Sequence, residues 1–598
     1  MCATFLRAST VQHFSPPSAS RPGAVCRGIL ARTTDGMLSA VSAGMLPSTC
    51  ADVVIGAGWS GVYFAYRRAI ANPVAAENMC IFEATERVGG RTFSVPPATL
   101  GHEFTLDVGA YRFSPDMHLP GDLILHDLKL PVACYEPSCP SAKLDFPKPF
   151  MFNYTQPLVR IVDPKTSLPA GYATAIHGML ARLKPMGVRV FLGAPLRDIS
   201  PPADRAARGE AATTLLTFAN DTKVEATGTV MLNLPRNKLM ALPALSASGS
   251  VPARTRKMLS CVKFDAPAKM FHNRSMDDAT ALTKGYLYYE DAWWHTKLNL
   301  TVGQFPHNAF EPLKTSKGIY IGVHWNDGPV MCTDERTGES FNPLSAAFTA
   351  RRGPGSAMRV GVACHGYLQV YYAATNERFF YGASGAPSQP LGVVSDAPPH
   401  DHQQLKEAHA ALLEAIAPLL TERGVAPTAL KPPSQLAVGV WSRPGVIAHD
   451  HGYTAPTKVY WAPSVSGTLG RACGCDGLTE DEYRTTVLQP FGKAAPIYLA
   501  NNDWVAQDVK YFYGDVRSLP SIRPAHELGG RILLVPNYRS QTCALLISSL
   551  SLSQRSVCRS QWAEESLIQC ERALYRLGEP RPAWLNESYY RHNIVGKA

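Results

Sequence analysis

Three glycines at the spacing Gly-x-Gly-x-x-Gly, Gly56, Gly58 and Gly61, are followed by an acid, Glu83, at about the twenty-residue distance of a ribose-binding carboxylate. These residue types point to a dinucleotide. Gly56 turns the chain tightly, Gly58 lets backbone approach a pyrophosphate, and Gly61 lets helix and strand pack closely. Trp59 and Ser60 fill the remaining turn positions, where backbone N–H groups face the phosphates.

The elements that must position them are legible on either side. Ala51-Asp52-Val53-Val54-Ile55 reads as a buried parallel strand, and Val62 to Ala69 as the helix after the turn. Met79 to Phe82 reads as a second strand delivering Glu83. A lone glycine fingerprint is weak, but strand, turn, helix, strand and acid in this order make it strong.

After Glu83 the chain runs Ala84-Thr85-Glu86-Arg87-Val88-Gly89-Gly90-Arg91. This Glu-Ala-x-x-Arg-x-Gly-Gly-Arg pattern resembles the flavin-containing amine oxidase superfamily of monoamine, polyamine and L-amino-acid oxidases. Desaturases and porphyrinogen oxidases are its more distant relatives. The resemblance implies FAD, with Glu83, Ala84, Arg87, Gly89, Gly90 and Arg91 along its phosphates and flavin. Further blocks fit the same pattern over most of the chain after residue 50: a helix from Gly171 to Leu183, a strand over Gly187–Leu192, and Val230–Pro235 returning to the cofactor domain. Leu196 stands where the superfamily makes a backbone contact to the adenosine side.

The resemblance also supplies catalytic candidates. Ala266-Pro267-Ala268-Lys269-Met270-Phe271 looks like the strand whose lysine holds a water at the flavin, with Lys263 a nearby competitor. A lysine in an apolar site can anchor water and move protons there. Asp107-Val108-Gly109-Ala110-Tyr111-Arg112-Phe113 resembles the Gly-Ala-x-Arg stretch of L-amino-acid oxidases and tryptophan monooxygenase, in which arginine pairs with the substrate carboxylate. A planar guanidinium grips a carboxylate through two parallel hydrogen bonds. The alternative for Arg112 is a contact to backbone or to the flavin region. Trp293, Trp294, Tyr371 and Tyr372 could wall a pocket or pack a core, and the spacing from Leu405 to Leu420 is that of a packing helix.

Ile497 to Trp504 resembles the superfamily's last cofactor strand, with Asn501 in place of the usual glycine and Asn502 and Asp503 as contacts. The helix expected soon afterwards, opening Trp562-Ala563-Glu564, arrives only beyond Val516–Gln561. In relatives its N-terminus faces the flavin's pyrimidine ring, which makes Trp562 and Ala563 site candidates. A connection this long is uncommon. Val516–Gln561 is read as a retained intron, since valine codons begin GT, glutamine can be CAG, and deletion keeps frame. A surface insertion is the competing reading.

Composition narrows the class. Of the net charge of +10 on 598 residues, about +3 lies in residues 1–50 and about +5 in Val516–Gln561. The body has no basic stripe, so nucleic acid is set aside. No apolar run is long enough for a membrane span. The fourteen cysteines are scattered without zinc-site spacing and read as buried or loop thiols. Residues 1–50, rich in Ser, Ala, Arg and Pro, suit an organellar transit peptide slightly better than a secretory signal, with a merely unstructured leader as the alternative.

The expected architecture is α/β: a Rossmann-like FAD-binding domain built from discontinuous segments (51–110, 186–275, 494–515 and 562–580) and a mixed α+β substrate domain (111–185 and 276–493), with 1–50 outside both. The expected reaction is oxidative deamination of an L-amino acid by FAD and dioxygen, giving keto acid, ammonia and hydrogen peroxide. Amine or polyamine oxidation, a desaturase-like reaction on a large apolar substrate, and a catalytically inactive flavoprotein stand as alternatives.

Overall fold

The computed structural model describes residues 46–113, 117–134, 159–210, 213–246, 248–260, 263–265, 282–301, 303–305, 313–345, 361–373, 391–395, 403–441, 458–460, 480–501 and 562–597. Lys269, Asn502, Asp503 and Val516–Gln561 lie outside the described residues.

Short runs that are apolar at consecutive positions must be buried on both faces, as parallel strands are. Four of them, Ile497–Leu499, Val230–Leu232, Val53–Ile55 and Cys80–Phe82, lie side by side in that order, and the less buried Arg189–Phe191 completes one parallel sheet at its edge. Their side chains alternate between two cores with the strand period of two. Val54, Ile81, Met231 and Tyr498 point into one core beneath the helices. Val53, Ile55, Phe82, Val230, Leu232, Ile497 and Leu499 point into the other.

The helix Trp59–Ala71 covers the first face, packed with Thr174–Leu183 and with Trp562–Arg576 in one apolar cluster. A buried ion pair fastens it: Arg67 Nε lies 2.7 Å from Glu571 Oε1, their side chains 4% and 0% exposed. Tyr63 Oη donates to the same Glu571 oxygen at 2.7 Å. Thus the helix beyond Val516–Gln561 docks directly on the helix that follows the glycine turn. Against the second core lies a four-stranded sheet of Thr49–Cys50, Lys223–Ala226, Thr214–Phe218 and Leu196–Ser200. Leu46 packs there too, so the fold begins before residue 51, where the sequence reading placed its edge.

A second, antiparallel sheet centres on Leu282–Tyr289, flanked by Val362–Ala373 and Gln435–Trp441. Its far face packs on the helix Gln403–Glu422, close to the expected span, with Leu405, Leu412, Ile416 and Leu420 inward. Trp293 and Trp294 are fully buried in that same cluster, so of their two expected roles they take core packing. Among the described residues no helix is long and apolar enough to cross a membrane.

The cysteine reading is corrected. Cys50 is disulfide-bonded to Cys80 and Cys332 to Cys364. Both pairs are some thirty residues apart in sequence; Cys332 and Cys364 face each other on paired antiparallel strands, whereas Cys50 and Cys80 link the four-stranded sheet to the parallel sheet. Cys570 is a free, buried thiol.

Candidate active site

The glycine turn forms the expected cradle. Gly56 leaves Val53–Ile55 with φ +97°, a left-handed conformation that a side chain disfavours, and a Cβ there would press on the Asn233 carbonyl. A Cβ on Gly61 would collide with the Gly56 carbonyl, so glycine is what lets the helix sit this close to the strand. Gly58 is the helix N-cap and offers no side-chain cap, leaving the first-turn N–H groups for a ligand. Beside it the Trp59 indole N–H is buried with no hydrogen-bond partner among the described residues.

Glu83, 8% exposed, ends its strand as expected. Its Oε2 accepts from Ala57 N at 2.8 Å, and its Oε1 accepts from Thr85 N at 3.0 Å and Thr85 Oγ1 at 2.8 Å. The carboxylate is thereby held at the mouth of the turn. Ala84 beside it is exposed. Gly89 N donates to Ala57 O at 2.8 Å, laying the Gly89-Gly90 loop along the turn at Gly58. Arg87 donates to the carbonyls of Val88 and Gly90 and lies over the Phe93 ring, bracing that loop. Leu196 opens its strand two residues after Ala194, whose N–H bonds to Glu83 O.

Two asparagines join the strand ends. Asn233 Nδ2 donates to Gly56 O, and its Oδ1 accepts from Ser60 Oγ at 2.6 Å. Asn501, in the position where glycine is usual, is 5% exposed and donates from Nδ2 to Asn233 Oδ1 at 3.3 Å. Its Oδ1 accepts from Arg91 at 3.0 Å, and its backbone N–H donates to Gln569 Oε1 at 2.9 Å. Through these contacts Asn501 ties Arg91, the glycine turn and the helix Trp562–Arg576 together. Trp562 and Ala563 open that helix.

From Arg91 the structure leads to the substrate side. Ala110 N donates to Arg91 O and Val108 N to Phe93 O, so the segment Asp107–Arg112 lies along the continuation of the Gly-Gly-Arg loop. A Cβ on Gly109 would overlap the Arg91 carbonyl. The other side of this segment rests on the antiparallel sheet: Tyr286 Oη donates to Asp107 O, Trp441 Nε1 to Val108 O, and Lys284 Nζ to Gly109 O.

Lys284 is the residue that sequence reasoning missed. It lies in the central strand Leu282–Tyr289, is 1% exposed, and sits 3.5 Å from the centroid of the Tyr111 ring. Burial pushes its amine well below the usual lysine range; Asp107 opposes the shift and Arg112 reinforces it. The signal was available in the alternation of Lys284, Tyr286 and Tyr288 on one face of an otherwise aromatic and apolar strand. A lysine there must be buried, which is costly unless it has a task.

Arg112 is half-buried and lies over the same Tyr111 ring, 4.6 Å from its centroid. Around it stand Arg160, Asp107 and Asp327, whose charges act on one another. Burial pushes the Asp107 carboxyl up, with Ser94 and Lys284 opposing, and raises Asp327 to about 6, with Arg112 and Tyr111 opposing. Burial lowers Arg160 to about 10. The site therefore holds two guanidinium groups, two carboxyl groups and a lysine biased toward its neutral form. A separate cleft of about 660 Å³, edged by His102, Glu103, Tyr288, Glu290 and His365, opens elsewhere and includes neither Lys284 nor Arg112.

Comparison with known proteins agrees with the nucleotide half. The family model for an NAD(P)-binding Rossmann-like domain matches residues 54–119. Comparison with curated proteins gives no match. Among solved structures, a wild-type putrescine oxidase bound to putrescine is similar, with 14% identity and a TM-score of 0.39 over 76% of this chain and 95% of that one. A triple mutant of that oxidase, from a redesign of its cofactor binding, is similar at 14% identity and a TM-score of 0.38, over 76% and 94%.

Proposed function

We propose that the protein is an FAD-dependent oxidase that deaminates an L-amino acid. The observation that carries this reading is the path of one segment, which leaves the dinucleotide loop at Gly90-Arg91, crosses the buried Lys284 at Gly109 and delivers Arg112 at its end. FAD fits the residues present: the uncapped helix end at Gly58, the glycine positions that a Cβ would close, and Glu83 for a ribose. When bound it would supply the acceptor for the substrate Cα hydride and pass the electron pair to dioxygen.

The chain's own residues do the rest. Arg112 receives the substrate carboxylate and fixes which face of Cα is presented. Lys284, held toward the neutral amine by burial, positions a water and accepts a proton at Nζ. That water is placed to hydrolyse the imine to keto acid and ammonia. Lys269, the sequence-based candidate for this role, lies outside the described residues and stands beside Lys284 as the second candidate for it.

Asp327 beside Arg112 favours a second reading, oxidation of an amine without a carboxylate, because it offsets the guanidinium charge. A peroxide assay over L-amino acids, D-amino acids, diamines and simple amines separates the two. Arg112→Met should raise KM for the amino-acid substrate on the order of 100-fold, the cost of a lost charge-assisted pair. An unchanged KM would remove Arg112 from the carboxylate role. The two disulfides support an oxidising compartment over a reducing one.

A further inference from the structure

Asp327 is placed without being used. Its side chain is fully buried, in a chain turn whose next residue, Gly328, lies against the backbone of Tyr367. Tyr111 Oη donates to Oδ2 at 3.3 Å, and His324 Nδ1 lies 3.8 Å from the same oxygen. Oδ1 has no hydrogen-bond partner among the described residues. His324 is in turn the register partner of Gln369 in the antiparallel sheet. Gln369 is 0% exposed, and neither its amide oxygen nor its amide nitrogen has a partner among the described residues. Paired residues share a face, and Gln369 also pairs with Tyr286, which stands two positions from Lys284 on its strand. Both groups thus belong to the face that carries Lys284, Tyr111 and Arg112.

Buried polar atoms are nearly always hydrogen-bonded, and a buried carboxylate costs most when one of its oxygens is left without a donor. Packing does not require these residue types. Leu287, Leu368 and Val370, on neighbouring positions that face the other core, are apolar. What meets Asp327 Oδ1 must bring N–H donors and, to offset the charge, a positive one. Arg112 weakens the negative field there without supplying a donor to that oxygen.

We infer that Asp327, with Gln369 nearby on the sheet, is a specificity subsite for a cationic end of the substrate, an ammonium or guanidinium remote from the carbon that is oxidised. Combined with Arg112, which lies over the Tyr111 ring, this makes the favoured substrate a basic L-amino acid. The subsite itself rests only on the Asp327 geometry; its assignment to amino acids rests on the function proposed above.

Two pairs of compounds separate the two claims. L-lysine against L-norleucine, and cadaverine against n-pentylamine, each differ in a terminal ammonium at nearly constant length. The purified full chain should show kcat/KM at least 100-fold higher for the cationic member of whichever pair it oxidises. Asp327→Asn should reduce that ratio to below about 5, mainly through a higher KM for the cationic member. Gln369→Met should reduce it less, by roughly tenfold. Thermal-shift titration with the same four compounds reads binding without turnover and should rank them identically. If the neutral and cationic members are equal in the unaltered chain, or if Asp327→Asn leaves their ratio intact, the subsite is overturned whatever the reaction. If instead cadaverine wins over L-lysine and the ratio still depends on Asp327, the subsite stands and the amino-acid reading falls.

Discussion

Replacing Glu571 by leucine should undo the docking of the C-terminal helix by an amount that the structure lets one work out. Glu571 Oε1 accepts from Arg67 Nε and from Tyr63 Oη, both at 2.7 Å, and Oε2 accepts from Arg67 Nη2 at 3.4 Å. Arg67 is 4% exposed, and its Nη2 also donates to the Pro580 carbonyl at 2.9 Å. Burial works against its charge, and Glu571 holds its ionisation well above the usual arginine range. Removing one partner of a buried pair costs about 3–5 kcal/mol, because the other charge is left without compensation. An unfolding entropy of about 2.1 cal/mol/K per residue makes each kcal/mol worth roughly 0.8 °C for a chain of 598 residues, so Glu571→Leu should melt about 2–4 °C lower. The triple change Tyr63→Phe, Arg67→Met, Glu571→Leu removes the charge and both donors together and should recover most of that loss. Near-ultraviolet circular dichroism followed during heating gives the measurement. A single variant within about 1 °C of the parent chain, or a triple variant no better than the single, would refute the reasoning.

Lys284→Met should lower kcat on the order of 100-fold with flavin content unchanged, and should flatten the acid limb of the pH–rate profile that deprotonation of the amine contributes. A change under threefold would exclude Lys284 from proton handling. His295, fully buried with neither ring nitrogen partnered among the described residues, is lowered by burial to about 3. The native state then binds fewer protons than the unfolded chain below the ordinary histidine value, so stability present above about pH 6.5 is lost as pH falls toward 3. The loss is about 2 kcal/mol by pH 5, and melting curves of His295→Phe should show a correspondingly smaller drop between pH 7 and pH 5 than the parent chain.

What could be read in the sequence was whatever local periodicity encodes. Val53–Ile55, Cys80–Phe82, Val230–Leu232 and Ile497–Leu499 announced themselves because a parallel strand covered on both faces must be apolar at every position. Glu83 could be placed because the distance from glycine turn to ribose fixes its spacing. Lys284 shows in the sequence only through its alternation with Tyr286 and Tyr288, because a lysine between Thr283 and Gly285 otherwise looks like a surface residue and its burial comes from the strands on either side. Asp327, in the run Trp325-Asn326-Asp327-Gly328, has the composition of an ordinary turn. Arg67 and Glu571 are 504 residues apart, and each alone reads as a helix-surface charge. The disulfides escaped for the same reason: their partners are neighbours only once two sheets have formed.

The Arg67–Glu571 pair also sets a clock. The helix carrying Arg67 emerges early in synthesis, and its counter-charge follows 504 residues later. At 5–20 residues per second the wait is roughly 25–100 s. Through that interval the apolar face of Trp59–Ala71, with Val62, Tyr63 and Tyr66, lacks the helix that will cover part of it. The nucleotide half therefore cannot mature as an independent N-terminal unit, and the nascent chain should depend on chaperones until the helix Trp562–Arg576 is made.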